Sequence, residues 1–328
     1  MKVSIVIPVF NAEKTIGRTL DTLLSQTMTD FEVIMVDDCS TDKSAEVCQH
    51  YSKSDSRFHY VRQSENMGPA AARNTGMDRM QGDYVTFIDS DDTVENNYLE
   101  VLLDAAKKSN ADIVWCGFQY IYIETGQVQK VTYGHNGLLG QKDFFLCFLD
   151  DCPGVGSMWN KCYKTEFVRL HNLRIDEERV YGEDWDFNMS ACLADARVFA
   201  INDTLYNYFK YPGQTVSRRY YPSDYNSYRV SLEQLIGNLR RFDIDYPLNK
   251  LRGRFVYNIV SLLYKLAHSS YSKEEKAREY KRIIHEEPFC RIIHEGNWLP
   301  DWLTLRQRIT VDLLRWNLDG LAWQVLKR

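Results

Sequence analysis

VSIVIPVFNAEKTIGRTLDTLLSQTMTDFEVIMVDD, residues 3–38, decides the fold. It opens on an apolar run rich in β-branched residues (3–10). A stretch of helical character follows from about Ala12 to Gln26, and the segment closes on a second apolar run (31–38). A strand with apolar residues on both faces has no solvent face, so both its sides must be covered; the helix between two such strands supplies the cover. The alternation continues downstream. FHYVRQ (58–63), DYVTFIDSDD (83–92) and DIVWCGFQYIY (112–122) read as strands, with helices near 42–53, 69–80 and 95–108. This is the pattern of an α/β fold with a mainly parallel central sheet, whose ligands bind where strand carboxyl ends meet at a switch in strand order.

Residues 123–180 are mixed, with Gly134, Gly137, Gly140 and the Pro153-Gly154 turn, and read as loops and short strands. From about Ser223 the pattern turns helical, past Pro212-Gly213 and Pro222. The 328 residues, 44% apolar and 26% charged, suffice for two globular units. Residues 1–217 read as the first unit, in halves of about 1–120 and 121–217, and residues 218–328 as a helical second one. Charge divides them too. Residues 1–212 hold 20 Lys/Arg against 32 Asp/Glu, a net −12, and residues 213–328 hold 20 against 13, a net +7. An acidic body argues against nucleic acid as partner and suits a site that concentrates a cation. No run of about 18 apolar residues exists to span a membrane, and the opening run reads as a buried strand rather than a signal peptide, so the chain reads as cytoplasmic. Its eight cysteines show no CxxC spacing, which points to reduced, mostly buried thiols and away from zinc.

Carboxylates gather where the strands end. The second strand runs into Asp37-Asp38 and the fourth into Asp89-Ser90-Asp91-Asp92. Three carboxylates within four residues repel unless a cation or hydrogen-bond donors neutralise them, and Mg²⁺ or Mn²⁺ prefers such oxygens together with substrate phosphates. Asp89 and Asp91 therefore read as ligand- and metal-binding, and Asp92 as a turn residue capping the next helix. Glu65-Asn66-Met67-Gly68-Pro69 then starts a helix through a tight glycine turn with proline at the first helical position, which aims free N–H groups at an anion. Arg73, one turn in, faces phosphate or else solvent. Gly182-Glu183-Asp184 reads by itself as an acidic first helical turn; beside a metal and phosphate site, one of its carboxylates becomes useful as a general base.

These segments resemble the inverting family 2 glycosyltransferases of GT-A fold. The resemblance rests on VSIVIPVFNAE, FEVIMVDDCSTD, ENMGPAAARNTGM, GDYVTFIDSDD, MWNKCYKTEF, GEDWDFNMSACL and LYNYFKYPGQTVS, seven motifs in order over about residues 1–217. Their order and spacing are similar to bacterial members that build surface polysaccharides or decorate cell-wall polymers. The resemblance implies that Pro8-Val9-Phe10 holds the nucleotide base, with Phe10 where the family often has Tyr. It implies that Asp38 accepts from the uracil ring N–H of a UDP-sugar, and that Asn66 and Arg73 lie against the nucleotide and its diphosphate. Asp89-Ser90-Asp91 matches the DxD motif, Asp89 near ribose and sugar and Asp91 on Mn²⁺ or Mg²⁺. Asp184 matches the catalytic base, with Glu183 as the runner-up. Trp159, in the segment that usually lines the acceptor side, stacks on an acceptor sugar or else belongs to the core.

Some relatives supply a histidine to the metal after the Glu-Asp pair, but here none occurs between His171 and His268. Gln214-Thr215-Val216-Ser217-Arg218-Arg219 reads either as a lid over the diphosphate or as a basic linker. The expected reaction moves a hexose or N-acetylhexosamine to a hydroxyl of a glycan, lipid-linked or cell-wall polymer acceptor. A non-catalytic nucleotide-sugar sensor or scaffold is the alternative, against which the intact Glu183-Asp184 pair argues. A nucleotidyltransferase would need a glycine- and base-rich first loop and a dinucleotide oxidoreductase GxGxxG after the first strand; neither is present. Near the end Leu305, Ile309, Leu313, Trp316, Leu318 and Leu321 fall at helical spacing among Arg306, Arg308 and Arg315, with Trp298, Trp302 and Trp323 nearby. That reads as a helical bundle, compatible with a homodimer, or as an interfacial helix in peripheral contact with a membrane.

Overall fold

The computed structural model describes residues 2–179, 182–211, 219–295 and 302–327. The chain forms two units, Met1–Arg179 with Glu183–Pro212, and Val180–Gly182 with Gly213–Arg328. The end of the first unit expected at 217, and residues 214–218 of the expected 214–219 lid, fall outside the described residues.

The first unit runs β1 (Val3–Val9), α1 (Ile16–Leu24), β2 (Phe31–Asp37), α2 (Ser44–Ser54), β3 (Phe58–Arg62), α3 (Pro69–Met77), β4 (Tyr84–Phe87), β5 (Thr93–Val94) and α4 (Tyr98–Ser109). It continues through β6 (Ile113–Tyr122), β7 (Val128–Val131), β8 (Gly137–Leu139), α5 (Gln141–Leu149), β9 (Lys161–Lys164), α6 (Thr165–Leu170), α7 (Glu183–Leu193) and β10 (Val198–Lys210). The sheet order is β3-β2-β1-β4-β9-β6-β10-β5, with β7 on β6 and β8 on β10. Four of the seven pairings along that path are parallel, and three, those of β9 with β4 and β6 and of β5 with β10, are antiparallel. The main path of the sheet is thus mostly parallel, as the alternation of elements requires, while β7 and β8 add antiparallel pairings to β6 and β10.

Strand β1 is buried on both faces, and its two faces serve different helices. Val3, Ile5, Ile7 and Val9 join Ile16, Leu20 and Leu23 of α1 in the main core. Val6 points the other way and lies under Gly76 of α3, so closely that a Cβ there would fall 2.3 Å from its Cγ1. Strands β1, β2 and β3 extend to one side and the chain then returns to place β4 on the other side of β1, so the order switches between β1 and β4. The Asp37-Asp38 and Asp89–Asp92 segments leave β2 and β4 at that end.

The sequence pattern ran on to Asp92 in the fourth strand, but β4 stops at Phe87 and the acidic residues form the turn that follows. The thirteen-residue β10 carries no continuous signal because Asn202-Asp203-Thr204 interrupt it, where the pairing with β6 shifts register.

The second unit is helical, as expected: α8 (Asp224–Leu239), α9 (Leu248–Ala267), α10 (Lys273–His285), α11 (Phe289–His294), α12 (Leu305–Arg315) and α13 (Asp319–Lys327). Helix α9 is its core, burying Leu251, Phe255, Val256, Ile259, Val260, Leu262, Leu263 and Leu266 among the other helices. Capping boxes start α10 at Ser272 and α12 at Thr304. Leu305, Ile309, Trp316, Leu318 and Leu321 are exposed. The arginines among them turn inward: Arg306 donates to the carbonyls of Val325 and Leu326, Arg308 to Leu303 and Arg315 to Ile293. Trp298 lies outside the described residues. No helix among the described residues is long and apolar enough to cross a membrane.

Candidate active site

At the end of β2, Asp37 is fully buried and accepts from the Tyr60 hydroxyl (2.7 Å), Arg62 Nη1 (2.9 Å) and the Ser40 N–H (2.9 Å). Asp38 accepts the N–H groups of Met67 and Gly68, each at 2.8 Å, and so closes the turn before α3. That turn needs glycine, because Gly68 holds φ +90 immediately before Pro69 at the first helical position. Asn66 is exposed and donates to the Asp38 carbonyl at 3.3 Å. In the first loop Pro8 is half-buried and Val9 fully buried, its carbonyl accepting the Asp38 N–H; Phe10 alone presents an exposed ring.

The acidic turn after β4 is held from below. Thr19 Oγ1 donates to the carbonyls of Ser90 (3.1 Å) and Asp92 (2.7 Å), and Arg18 Nη2 donates to that of Asp91 (2.6 Å). Arg18 also donates to the Tyr211 hydroxyl (2.8 Å) and lies 3.6 Å over the Phe209 ring. Asp92 is not a helix cap. It is buried, accepts the Phe209 N–H and the Tyr206 hydroxyl at 2.8 Å each, and ties the turn to β10. A cap was expected because Asp commonly precedes a helix, but here β5 intervenes before α4. Asp91 is exposed, and its carboxyl, crowded by surrounding protein and by Asp89, is pushed up to about 6. Among the described residues no three His, Cys, Asp or Glu side chains converge as a complete metal cage.

Arg73 joins the motifs. Its side chain is 7% exposed, so the solvent-facing alternative does not hold. Nη2 lies 2.9 Å from Asp89 Oδ1, while Nη1 lies 3.4 Å from both Glu183 Oε1 and Asp184 Oδ1. Burial works against its charge, and the three carboxylates outweigh burial, so Arg73 is held cationic. One guanidinium therefore links α3, the DxD turn and the first turn of α7. The two carboxylates of α7 differ in what supports them. Desolvation and its neighbour Asp184 push Glu183 up to about 7 against the pull of Arg73. Desolvation raises Asp184 as well, but Arg73, a hydrogen bond from the Met158 N–H and the charge of Lys161 all favour its ionised form.

Trp159 is a core residue. It is 8% exposed, stacks on Tyr206 at 4.6 Å and meets Phe118 edge-on at 4.8 Å, so its ring faces are engaged. Several site residues were not singled out from the sequence. Asn74 ties α3 to Ile175 and Glu177 ahead of α7. Asn188 holds the start of α7, Arg18 and Tyr206 hold the DxD turn, and Lys161 is buried behind Asp184. Lys161 sits in the quoted MWNKCYKTEF motif, yet a lysine there gives no sign of burial.

A sheet that switches order at β1 and β4, with an acidic turn and a half-buried carboxylate pair at the switch, is the architecture of the GT-A glycosyltransferases. The comparisons agree. Residues 4–159 match the family model described as Glycosyl transferase family 2, so this stretch forms a glycosyltransferase family 2 domain. It is 26% identical over 323 residues to the uncharacterized glycosyltransferase EpsJ of Bacillus subtilis, covering 97% of this chain and 94% of that protein. It is 33% identical over 226 residues to the cholesterol galactosyltransferase of Borreliella burgdorferi, covering 66% of this chain and 62% of the relative. In fold it is similar to S. aureus TarS residues 1–349, solved in complex with UDP-GlcNAc: TM-score 0.64, 20% identity, 100% of this chain and 91% of that one.

Proposed function

We propose that this glycosyltransferase moves a hexose or N-acetylhexosamine from a UDP-sugar to a hydroxyl of a glycan, lipid-linked or cell-wall polymer acceptor, with inversion, and that Asp184 is the base. The observation that carries this is the Arg73 bridge, which brings the DxD carboxylate Asp89 and the Glu183-Asp184 pair to one guanidinium. Exposed Phe10 is available to stack on the base. Asp38, whose oxygens each keep a second lone pair beyond the Met67 and Gly68 bonds, can accept from uracil. The TarS complex supports a UDP-linked donor by likeness of fold.

Asp184 rather than Glu183 suits the base because more donors and cations hold it ionised, and its Oδ1 carries no hydrogen bond. It takes the proton from the acceptor hydroxyl as that oxygen attacks the anomeric carbon from the face opposite the leaving diphosphate. The DxD turn fits Mn²⁺ or Mg²⁺: its donors are hard carboxylate oxygens, and Asp91 is exposed beside a like charge that raises its pKa. Asp91 would hold a divalent cation, which would neutralise charge on the leaving diphosphate. Arg73 keeps Asp89 and Asp184 oriented toward one another's side of the site. The chemistry takes place on the cytoplasmic side, with the exposed row Leu305, Ile309 and Trp316 in peripheral contact with the membrane that carries a lipid-linked acceptor.

UDP release from a panel of UDP-sugars with Mn²⁺ tests the reading. One donor should be consumed; Asp91→Asn should lose Mn²⁺ dependence, and Asp184→Asn should keep donor affinity while turnover falls by about 10²-fold or more. Near-wild-type turnover in Asp184→Asn would overturn the base assignment. Absence of flotation with anionic vesicles would overturn the membrane contact.

A further inference from the structure

Behind Asp184 the turn Gly154–Met158 is folded around a buried ammonium. Lys161 is fully buried, and its Nζ donates to the carbonyls of Gly154 and Ser157 at 2.6 Å each and to Asn160 Oδ1 at 3.1 Å. Burial draws the Lys161 ammonium down to about 7, yet the three acceptors match the three N–H bonds of the protonated form, whereas a neutral amine has only two to give. The turn is also closed to side chains. A Cβ on Gly154, which holds φ +75, would fall 2.4 Å from Asn160 Nδ2, and one on Gly156 would fall 2.8 Å from Trp185 Cδ1.

Helix α7 grips the same turn from the other side. Asn188 Nδ2 donates to the carbonyls of Gly156 (3.0 Å), Ser157 (3.3 Å) and Asp184 (2.8 Å), while its Oδ1 accepts from the Tyr163 hydroxyl (2.9 Å). The turn then ends on the Met158 N–H, which donates to the Asp184 side chain. The groups facing Lys161 are Cys116 from β6, Cys147 from α5 and Asp184 from α7, with the Trp115 ring 4.9 Å away. Burial pushes the Cys116 thiol up to about 12, and a hydrogen bond with Cys152 followed by burial raises Cys147, so both stay neutral and Asp184 is the anion that faces the ammonium.

We propose that Lys161 is a positioning residue for the base: it holds the Gly154–Met158 turn in the shape that aims the Met158 N–H at Asp184, and it keeps a positive charge behind that carboxylate. This rests on Asp184 being the base. A carboxylate held by one N–H, with Lys161 behind it and Arg73 at 3.4 Å, keeps its direction toward the acceptor hydroxyl, and a displacement of about 1 Å at such a group costs about 10²-fold in rate.

The test compares Lys161→Met, which removes the charge and loosens the turn, with Asn188→Leu, which loosens the turn from α7 and leaves the charge. In Lys161→Met, kcat should fall about 10- to 100-fold with the donor KM within about twofold, and the acid limb of the kcat profile should rise by about half a pH unit or more. Asn188→Leu should lower kcat while moving that limb less than Lys161→Met does, because the charge stays and only the Met158 hydrogen bond is weakened. A Lys161→Met enzyme with wild-type kcat and acid limb would overturn the proposal. Should that variant not fold, the wild-type enzyme still decides: the Met158 amide ¹⁵N–¹H resonance should titrate with the acid limb, and an amide that does not follow it overturns the proposal. Failure of the base assignment itself reads separately, as retained turnover in Asp184→Asn.

Discussion

Gly76→Ala should weaken the enzyme although alanine is the better helix former. A Cβ at Gly76 would lie 2.3 Å from Val6 Cγ1, 2.9 Å from Cγ2 and 3.2 Å from Cβ, where carbon atoms prefer about 3.5–4.0 Å. Val6 is fully buried in β1 and β-branched, so turning its side chain does not clear both methyls. Helix α3 must therefore move outward and carry Arg73, one turn earlier, away from contacts of 2.9–3.4 Å with three carboxylates. Overpacking of this kind costs about 1–3 kcal/mol, and replacing a helical glycine by alanine returns about 1 kcal/mol, which leaves a net loss of up to about 2 kcal/mol. In a Val6→Ala background the two methyls are gone and the same substitution should be neutral or stabilising by up to about 1 kcal/mol. A coupling of about 1–3 kcal/mol between the two sites follows. Urea unfolding of the wild type, both single variants and the double variant measures it, and UDP release should fall further in Gly76→Ala than in Val6→Ala. Equal cost of Gly76→Ala in both backgrounds, or stabilisation of the wild type by it, would refute the packing argument.

Two further expectations concern the carboxylate pair and the indole beside it. Desolvation and Asp184 hold the Glu183 carboxyl at about 7 against 4.5 for the free group, so between those values the native state binds more protons than the unfolded chain. The stability this group contributes is complete below about pH 4.5 and lost as pH rises through 7. Glu183→Gln should accordingly exceed the wild type in stability at pH 8 by up to about 3 kcal/mol, with the gap closing on acidification; a gap independent of pH in urea titrations at pH 5 and 8 would be the wrong result. Trp159→Leu should lose about 2–4 kcal/mol of stability and leave the acceptor KM unchanged, because the indole is part of the Tyr206–Phe118 stack. A raised acceptor KM at unchanged stability would return Trp159 to the acceptor side.

Local sequence was enough wherever one short stretch carries its own physical requirement. Residues 3–9 and 31–37 have no polar face, so they had to be buried strands, and Gly68-Pro69 had to be the turn into a helix. Asp89 and Asp91 were legible as a site because like charges on one turn need compensation. Sequence also showed Glu183 and Asp184 as an acidic first helical turn, though not which of them has the surroundings richer in donors and cations. That depends on the Met158 N–H and Lys161, brought up from another element. Tertiary structure decided the rest, because the partners come from far along the chain. Antiparallel β9 enters between β4 and β6, and β10 is assembled across a bulge that breaks its pattern. Trp159 could be read as stacking on a sugar until Tyr206 and Phe118 took its faces. Arg73 and Lys161 look like ordinary surface cations by composition; each is buried because oxygen acceptors from elements distant in sequence converge on it, and such convergence leaves no periodicity to read.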